Sequence, residues 1–323
     1  MNTHLRAPGF ESTSVRNIHR SRSGTALSRR GWQVCLLAPA ALALAAMVGC
    51  SSSNQPAGPA GVYAKAKAIF AKGANLGYDA DIDALSALSY ADPPNEYTTR
   101  ARVLRLVYLS GEVQGYRTLS EAYGKAADSA KPAALKSEYT KLRRNVDARG
   151  AELTLRLGEI AMQLTKGGQL PKDLVLDLPY PNVDVPPAIA PLETARTGLE
   201  ISREDQTQAE LLATHIGVVD ALAAILHTDR AKAQAEMNAG PVTIDPTQFR
   251  LFLADQIMAG AVFYDPKHLY DPTHYKLVVG VAQDELQPVQ AALKQTPDPD
   301  CAKRLKKLQD EIKSGLKAFP SSV

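Results

Sequence analysis

Two consecutive copies of Tyr-Asp-Pro-x-His carry the densest chemistry in this chain: Tyr264-Asp265-Pro266-Lys267-His268, then, after Leu269, Tyr270-Asp271-Pro272-Thr273-His274, closed by Tyr275. Asp265, His268, Asp271 and His274 supply two carboxylates and two imidazoles, a set that could hold Zn²⁺ or another transition metal. Asp-Pro has a second use, however. The Asp oxygen accepts the orphan amides of a first helical turn, and Pro at the first helical position lacks only a donor that would be unpaired anyway. Asp92-Pro93, Asp245-Pro246 and Asp298-Pro299 repeat the pair with no His. A capping Asp aims its oxygens at its own helix, so the pattern favours a structural connector over a metal site. Exposed on one loop, Tyr264, His268, Tyr270, His274 and Tyr275 would suit contact with a ligand or a protein partner.

Other reactive side chains read as structural. His215 shares an apolar stripe with Leu211, Val218, Leu222 and Ile225, while Glu210 and Asp220 lie five residues away on other faces. Lys303, Arg304, Lys306 and Lys307 form a solvated face opposite the stripe Cys301, Leu305, Leu308, Ile312 and Leu316. The chain has no Gly-x-Ser-x-Gly, Gly-rich phosphate loop, His-Glu-x-x-His, Cys-x-x-Cys or Glu-x-x-His. The expected role is therefore non-enzymatic, with no cofactor.

The elements that must position these residues are helical. Apolar side chains recur at helical spacing, and alternation is confined to Asp173-Leu174-Val175-Leu176-Asp177. The spacing predicts helices over 62–73, 80–90, 97–128, 132–166, 203–238, 246–264, 272–295 and 299–318. Gly111 and Gly115 are expected to break the third and Pro288 to bend the seventh. Six prolines between Gly167 and Leu192 forbid a helix there. That segment is either an interdomain linker or a strap across helix ends. The expected fold is all-α: helical hairpins stacked as a bundle or short solenoid. Residues 62–166 form an N-terminal block, 167–192 the Pro-rich linker and 193–323 a C-terminal block.

The first 61 residues read as an address and a tether. Arg29-Arg30 precedes roughly sixteen small and apolar residues ending at Gly49. As a helix that run spans about 24 Å, short of the roughly 30 Å hydrocarbon core, so it suits a cleaved signal at 1–49. Removing it takes away six arginines and one acid. Of 37 basic and 34 acidic residues, 31 and 33 then remain, a net −2. The basic excess belongs to the leader, so nucleic-acid binding is not indicated. Residues 50–61, rich in Ser, Pro, Gly and Ala, suit a flexible tether.

Met47-Val48-Gly49-Cys50 resembles the lipobox of bacterial lipoproteins, with Met47 where Leu is usual. The resemblance implies lipidation of Cys50, cleavage before it and a stable membrane anchor. Ser51, where Asp would signal inner-membrane retention, implies the periplasmic face of the outer membrane. Cys35 would be lost and Cys50 blocked, so Cys301 would remain without a partner for a disulfide. At a 34-residue offset, Ile69 and Phe70 match Val103 and Leu104, and Gly77, Ile82 and Leu85 match Gly111, Tyr116 and Leu119. This register resembles a degenerate tetratricopeptide pair over about 62–128, without its Trp and Leu-Gly. Together the resemblances imply an envelope lipoprotein acting as a helical scaffold or adaptor for another envelope protein. The alternative is a small-ligand or metal carrier with a cleft between the two helical blocks and Tyr264–Tyr275 at its mouth.

Overall fold

The computed structural model describes residues 58–72, 85–91, 93–165, 170–171, 174–183 and 190–319, and the chain is all-α. In order, the helices are α1 (Pro59–Ala71), α2 (Ser86–Ser89), α3 (Thr98–Ser129), α4 (Ala133–Leu164), α5 (Ala190–Arg196), α6 (Arg203–Ile225), α7 (Arg230–Ala239), α8 (Pro246–Ala261), α9 (Pro272–Gln295) and α10 (Pro299–Ala318). A single 3₁₀ turn, Val262–Tyr264, follows α8. The extended stretch around Leu174 is real: Val175–Leu176 (β1) pairs antiparallel with Val242–Thr243 (β2), Val175 opposite Thr243.

Three Asp-Pro pairs start helices as their chemistry requires. Asp245 accepts from the Gln248 amide at 2.8 Å. Asp271 accepts from Thr273 and His274 at 3.1 Å each, and Asp298 from Asp300 at 2.9 Å and Cys301 at 3.1 Å. Asp265 starts no helix but follows the 3₁₀ turn as its C-cap, and Asp92 lies outside the described residues.

The hairpin α3–α4 is the scaffold, and α6 and α8 pack against it, with α9 and α10 laid on α8. Leu104 and Leu157 share one core with Leu222, Phe249, Phe252 and Ile257, so residues 62–166 and 193–323 bury their stripes in common. A smaller cluster at the other end joins α3, α4, α5 and α6 around Tyr123 and Tyr139, whose rings stack at 6.2 Å. A buried Arg250–Glu285 pair at 2.6 Å, with the Thr165 hydroxyl donating to the same carboxylate at 2.6 Å, ties α8 and α9 to the end of α4.

Of the two readings of the Pro-rich segment, its described part behaves as a strap. Leu174, Leu176 and Leu178 are buried in the shared core. Lys67 pairs with Asp177 at 2.7 Å, and the Asn182 amide donates to the Ala71 carbonyl at 2.9 Å. This described part contacts α1 and joins the shared core.

Three expectations need correction. First, Gly111 and Gly115 do not break α3, which runs 32 residues without interruption. They are where α6 approaches: a β-carbon on Gly111 would lie 2.5 Å from the Val218 nitrogen, and one on Gly115 2.8 Å from the Ala213 carbonyl carbon. Packing against a neighbouring backbone outweighs glycine's poor helix propensity, about 1 kcal/mol per residue. Secondly, the segment 203–238 is two helices. His227 takes φ 53°, its amide donates to Ala224 at 3.1 Å, and the Thr228 amide reaches back to Ala223 at 2.9 Å. That is a Schellman stop with His where Gly is usual. Thirdly, a tetratricopeptide unit is a helix–turn–helix, whereas residues 98–129 form a single helix, so the 34-residue register marks no structural repeat there. Pro288 lies inside α9 without ending it.

By length and composition α6 could cross a membrane, yet half of that stretch is buried in protein and Gly217 rests on Gly111. It is a core helix.

Candidate functional site

The tandem motif occupies the connector from α8 to α9, residues 262–271, and enters the first turn of α9. Asp265 makes the connector's turn: its side chain accepts from the Lys267 amide at 2.8 Å, and its carbonyl from His268 at 3.1 Å and Tyr270 at 3.0 Å. The Leu269 and Asp271 amides return to the Phe263 and Tyr264 carbonyls at 3.1 and 3.0 Å. The loop's backbone is thus hydrogen-bonded to itself, with Tyr270 held in the left-handed region at φ 53°.

Phe263 and Tyr264 anchor the connector to α4. Phe263 is fully buried against Gly150, and the Tyr264 hydroxyl donates to the Ala151 carbonyl at 2.5 Å. Burial pushes the Tyr264 phenol well above its ordinary range, so it remains a donor.

His268 plays a part that its neighbours in sequence do not reveal. Its Nδ1 lies 3.0 Å from Oδ1 of Asp147 on α4, and the Ser120 hydroxyl on α3 donates to that same oxygen at 2.5 Å. Arg143 completes the cluster, donating to the Lys267 carbonyl at 3.1 Å with its Nε 3.8 Å from Asp147. Asp147 and Ser120 are buried. Ser, His and Asp together are the components of a nucleophilic triad, but the wiring differs. A triad places the hydroxyl on Nε2 and the carboxylate on Nδ1. Here hydroxyl and imidazole both converge on one carboxylate oxygen, Nε2 faces Arg143 at 3.5 Å, and the hydroxyl is shut away from solvent. The serine oxygen also lies 3.4 Å from His268 Nδ1, the nitrogen already on the carboxylate, so the arrangement binds two helices to a loop and does not reproduce a triad's relay. Ser120, Arg143 and Asp147 escaped the sequence reading; the i,i+4 pair Arg143–Asp147 was the one local signal.

In the second unit the Asp and the His pair with each other. His274 Nδ1 lies 2.6 Å from Oδ2 of Asp271, and its ring stacks on Tyr264 at 5.8 Å. The His274 amide, then its imidazole, hold the Asp271 carboxyl below the ordinary range. The two histidines therefore take different carboxylates, and Asp265 and Asp271 are engaged with backbone amides. Among the described residues no group of three or more His, Cys, Asp or Glu is arranged to hold a metal ion.

Of the five expected contact residues, Tyr264 and Tyr275 are buried and His268 nearly so. Tyr275 packs against Phe319 at 4.6 Å and against Gly315. Tyr270 and His274 remain on the surface, with Leu269. Beside them a cleft of about 780 Å³ opens between α3, α8 and α10, lined on one side by Asp265, Lys267 and Tyr275. Gln114 and Arg117 line it from α3, and Lys307, Glu311 and Ser314 from α10. Cys50 and the lipobox lie outside the described residues.

No protein-family model, curated protein or solved structure matches this chain.

Proposed function

We propose that this chain is an extracytoplasmic lipoprotein, tethered through lipid on Cys50, whose helical body serves as a non-enzymatic adaptor for another envelope protein. The anchor rests on Met47-Val48-Gly49-Cys50 and the tether behind it. One observation carries the partner reading. Tyr270 is 56% exposed, its backbone is fixed by the turn, and its ring stacks on Phe319 at 6.0 Å. A large aromatic held rigid at the surface loses little entropy on contact, which is what interface anchors share. Leu269 beside it is also exposed. The periplasmic face of the outer membrane is the location this reading favours.

Two measurements test it. Growth with an alkyne palmitate should label the wild type and not Cys50→Ser. A photo-crosslinking residue at position 270 should capture one discrete partner in intact cells, whereas one at exposed Lys136 should not. Labelling that survives Cys50→Ser would remove the anchor, and capture no different between the two positions would remove the adaptor surface.

A further inference from the structure

Tyr270 does not line the cleft beside the connector, whose charges are of both signs. Asp255, on α8, is half-buried in its wall. Among the described residues its carboxylate receives the neighbouring Gln256 amide, at a long 3.5 Å. Burial raises the Asp255 carboxyl above the ordinary range although Arg304, Lys307 and Arg117 all act to lower it. Water has been stripped from this group without full replacement.

The basic groups of the cleft come from other elements. Arg117 of α3 reaches Glu121 at 3.5 Å, and Lys307 of α10 reaches Glu311 at 3.6 Å, both exposed pairs within one helix that solvent screens. Lys267 adds a third cation from the connector. Met258 and Tyr275, both buried, supply apolar wall. A purely anionic ligand would meet Asp255, Asp265 and Glu311, and a purely cationic one Arg117, Lys267 and Lys307. A dipolar ligand satisfies both sides, and about 780 Å³ falls in the range that takes ligands larger than a single amino acid.

We infer that the cleft binds short zwitterionic peptides, with the free amino terminus on Asp255 and the terminal carboxylate on Arg117 and Lys307. Side chains would rest on Met258 and Tyr275. The ammonium replaces the water that Asp255 has lost. The guanidinium offers the carboxylate a planar fork, which a screened pair with Glu121 leaves free to turn.

The test is equilibrium dialysis of the full detergent-purified chain against an equimolar pool of tripeptides, read by mass spectrometry. The same pool N-acetylated, and the same pool C-amidated, are the comparisons. The wild type should retain free tripeptides at least tenfold over either blocked pool. Asp255→Asn and Arg117→Gln should each lose that retention while melting cooperatively. No retention by the wild type, equal retention of the blocked pools, or full retention by both variants would each overturn the proposal. Crosslinking at position 270 reads the adaptor surface independently, so either idea can fail alone.

Discussion

Gly111 in α3 and Gly217 in α6 meet backbone to backbone: a β-carbon on Gly217 would lie 2.8 Å from the Gly111 carbonyl carbon and 3.0 Å from its Cα. No side chain fits that crossing, so one methyl group must push the helices apart. Gly217→Ala is expected to cost about 1–3 kcal/mol by overpacking, and a protein of this size loses about 2–4 °C in Tm per kcal/mol. Gly280→Ala, inside α9, meets nothing within 4 Å and should gain about 0.5–1 kcal/mol from helix propensity. Thermal melts followed by circular dichroism compare the two. If Gly217→Ala melts as the wild type does, the helices do not cross at this point.

Asp147 holds the connector by accepting from both Ser120 and His268. Asp147→Ala would remove the acceptor shared by a buried hydroxyl and an imidazole that lie 3.4 Å apart, at about 1–3 kcal/mol. The loss should be local as well as global. Amide hydrogen exchange over residues 263–271 should speed up in Asp147→Ala and in His268→Ala, while exchange in α3 beyond Ser120 keeps its order. Unchanged protection of the connector in both variants would show that its own turn, and not the latch, keeps it in place.

What the sequence made legible was local. Asp245, Asp271 and Asp298 announce their helices because the cap and the proline act on the same first turn. The stripe Cys301, Leu305, Leu308 and Ile312 is buried as its period requires. What stayed hidden depends on partners far along the chain. Gly111 looks like a breaker until α6 is seen lying on it. His268 looks paired with Asp265, three residues away, yet its carboxylate is 121 residues off. Tyr264 and Tyr275 looked like contact residues because aromatic rings suit surfaces and cores alike, and only packing separates the two. His227 stops its helix in the left-handed region without the usual Gly, and the local cue to the break is Asp229, which caps α7 by accepting from the Lys232 amide.

Asp255 and Asp271 move stability in opposite directions as acid is added. Bonds from His274 depress the Asp271 carboxyl, so its contribution is complete above the unfolded value of about 3.9 and is lost as pH falls through the lower folded value. Burial raises the Asp255 carboxyl, so the folded state takes up its proton first, and stability from this group grows as pH falls from the raised value toward about 3.9. At neutral pH, Asp255→Asn should therefore melt above the wild type and Asp271→Asn below it. The first gap should narrow as pH falls toward about 4, the second only below it. Urea melts from neutral to acidic pH decide this. Two gaps that close together would mean that one carboxyl has been assigned the wrong environment.

Cys301 sits in the first turn of α10, where unpaired amides ordinarily favour a thiolate. Burial, then the neighbouring Asp298 carboxylate, act the other way and raise the thiol to about 11. Gln248 donates its side-chain amide to the sulfur at 3.0 Å, and that single bond does not offset the burial. At pH 8 only about one thiol in a thousand would be ionised, against about a quarter of ordinary exposed cysteines. Iodoacetamide should accordingly label the Cys301 peptide slowly in the folded chain and fast in urea, as read by mass spectrometry. Fast labelling without urea would mean that the start of α10 opens to solvent, in which case the amides of that turn, and not burial, govern the sulfur.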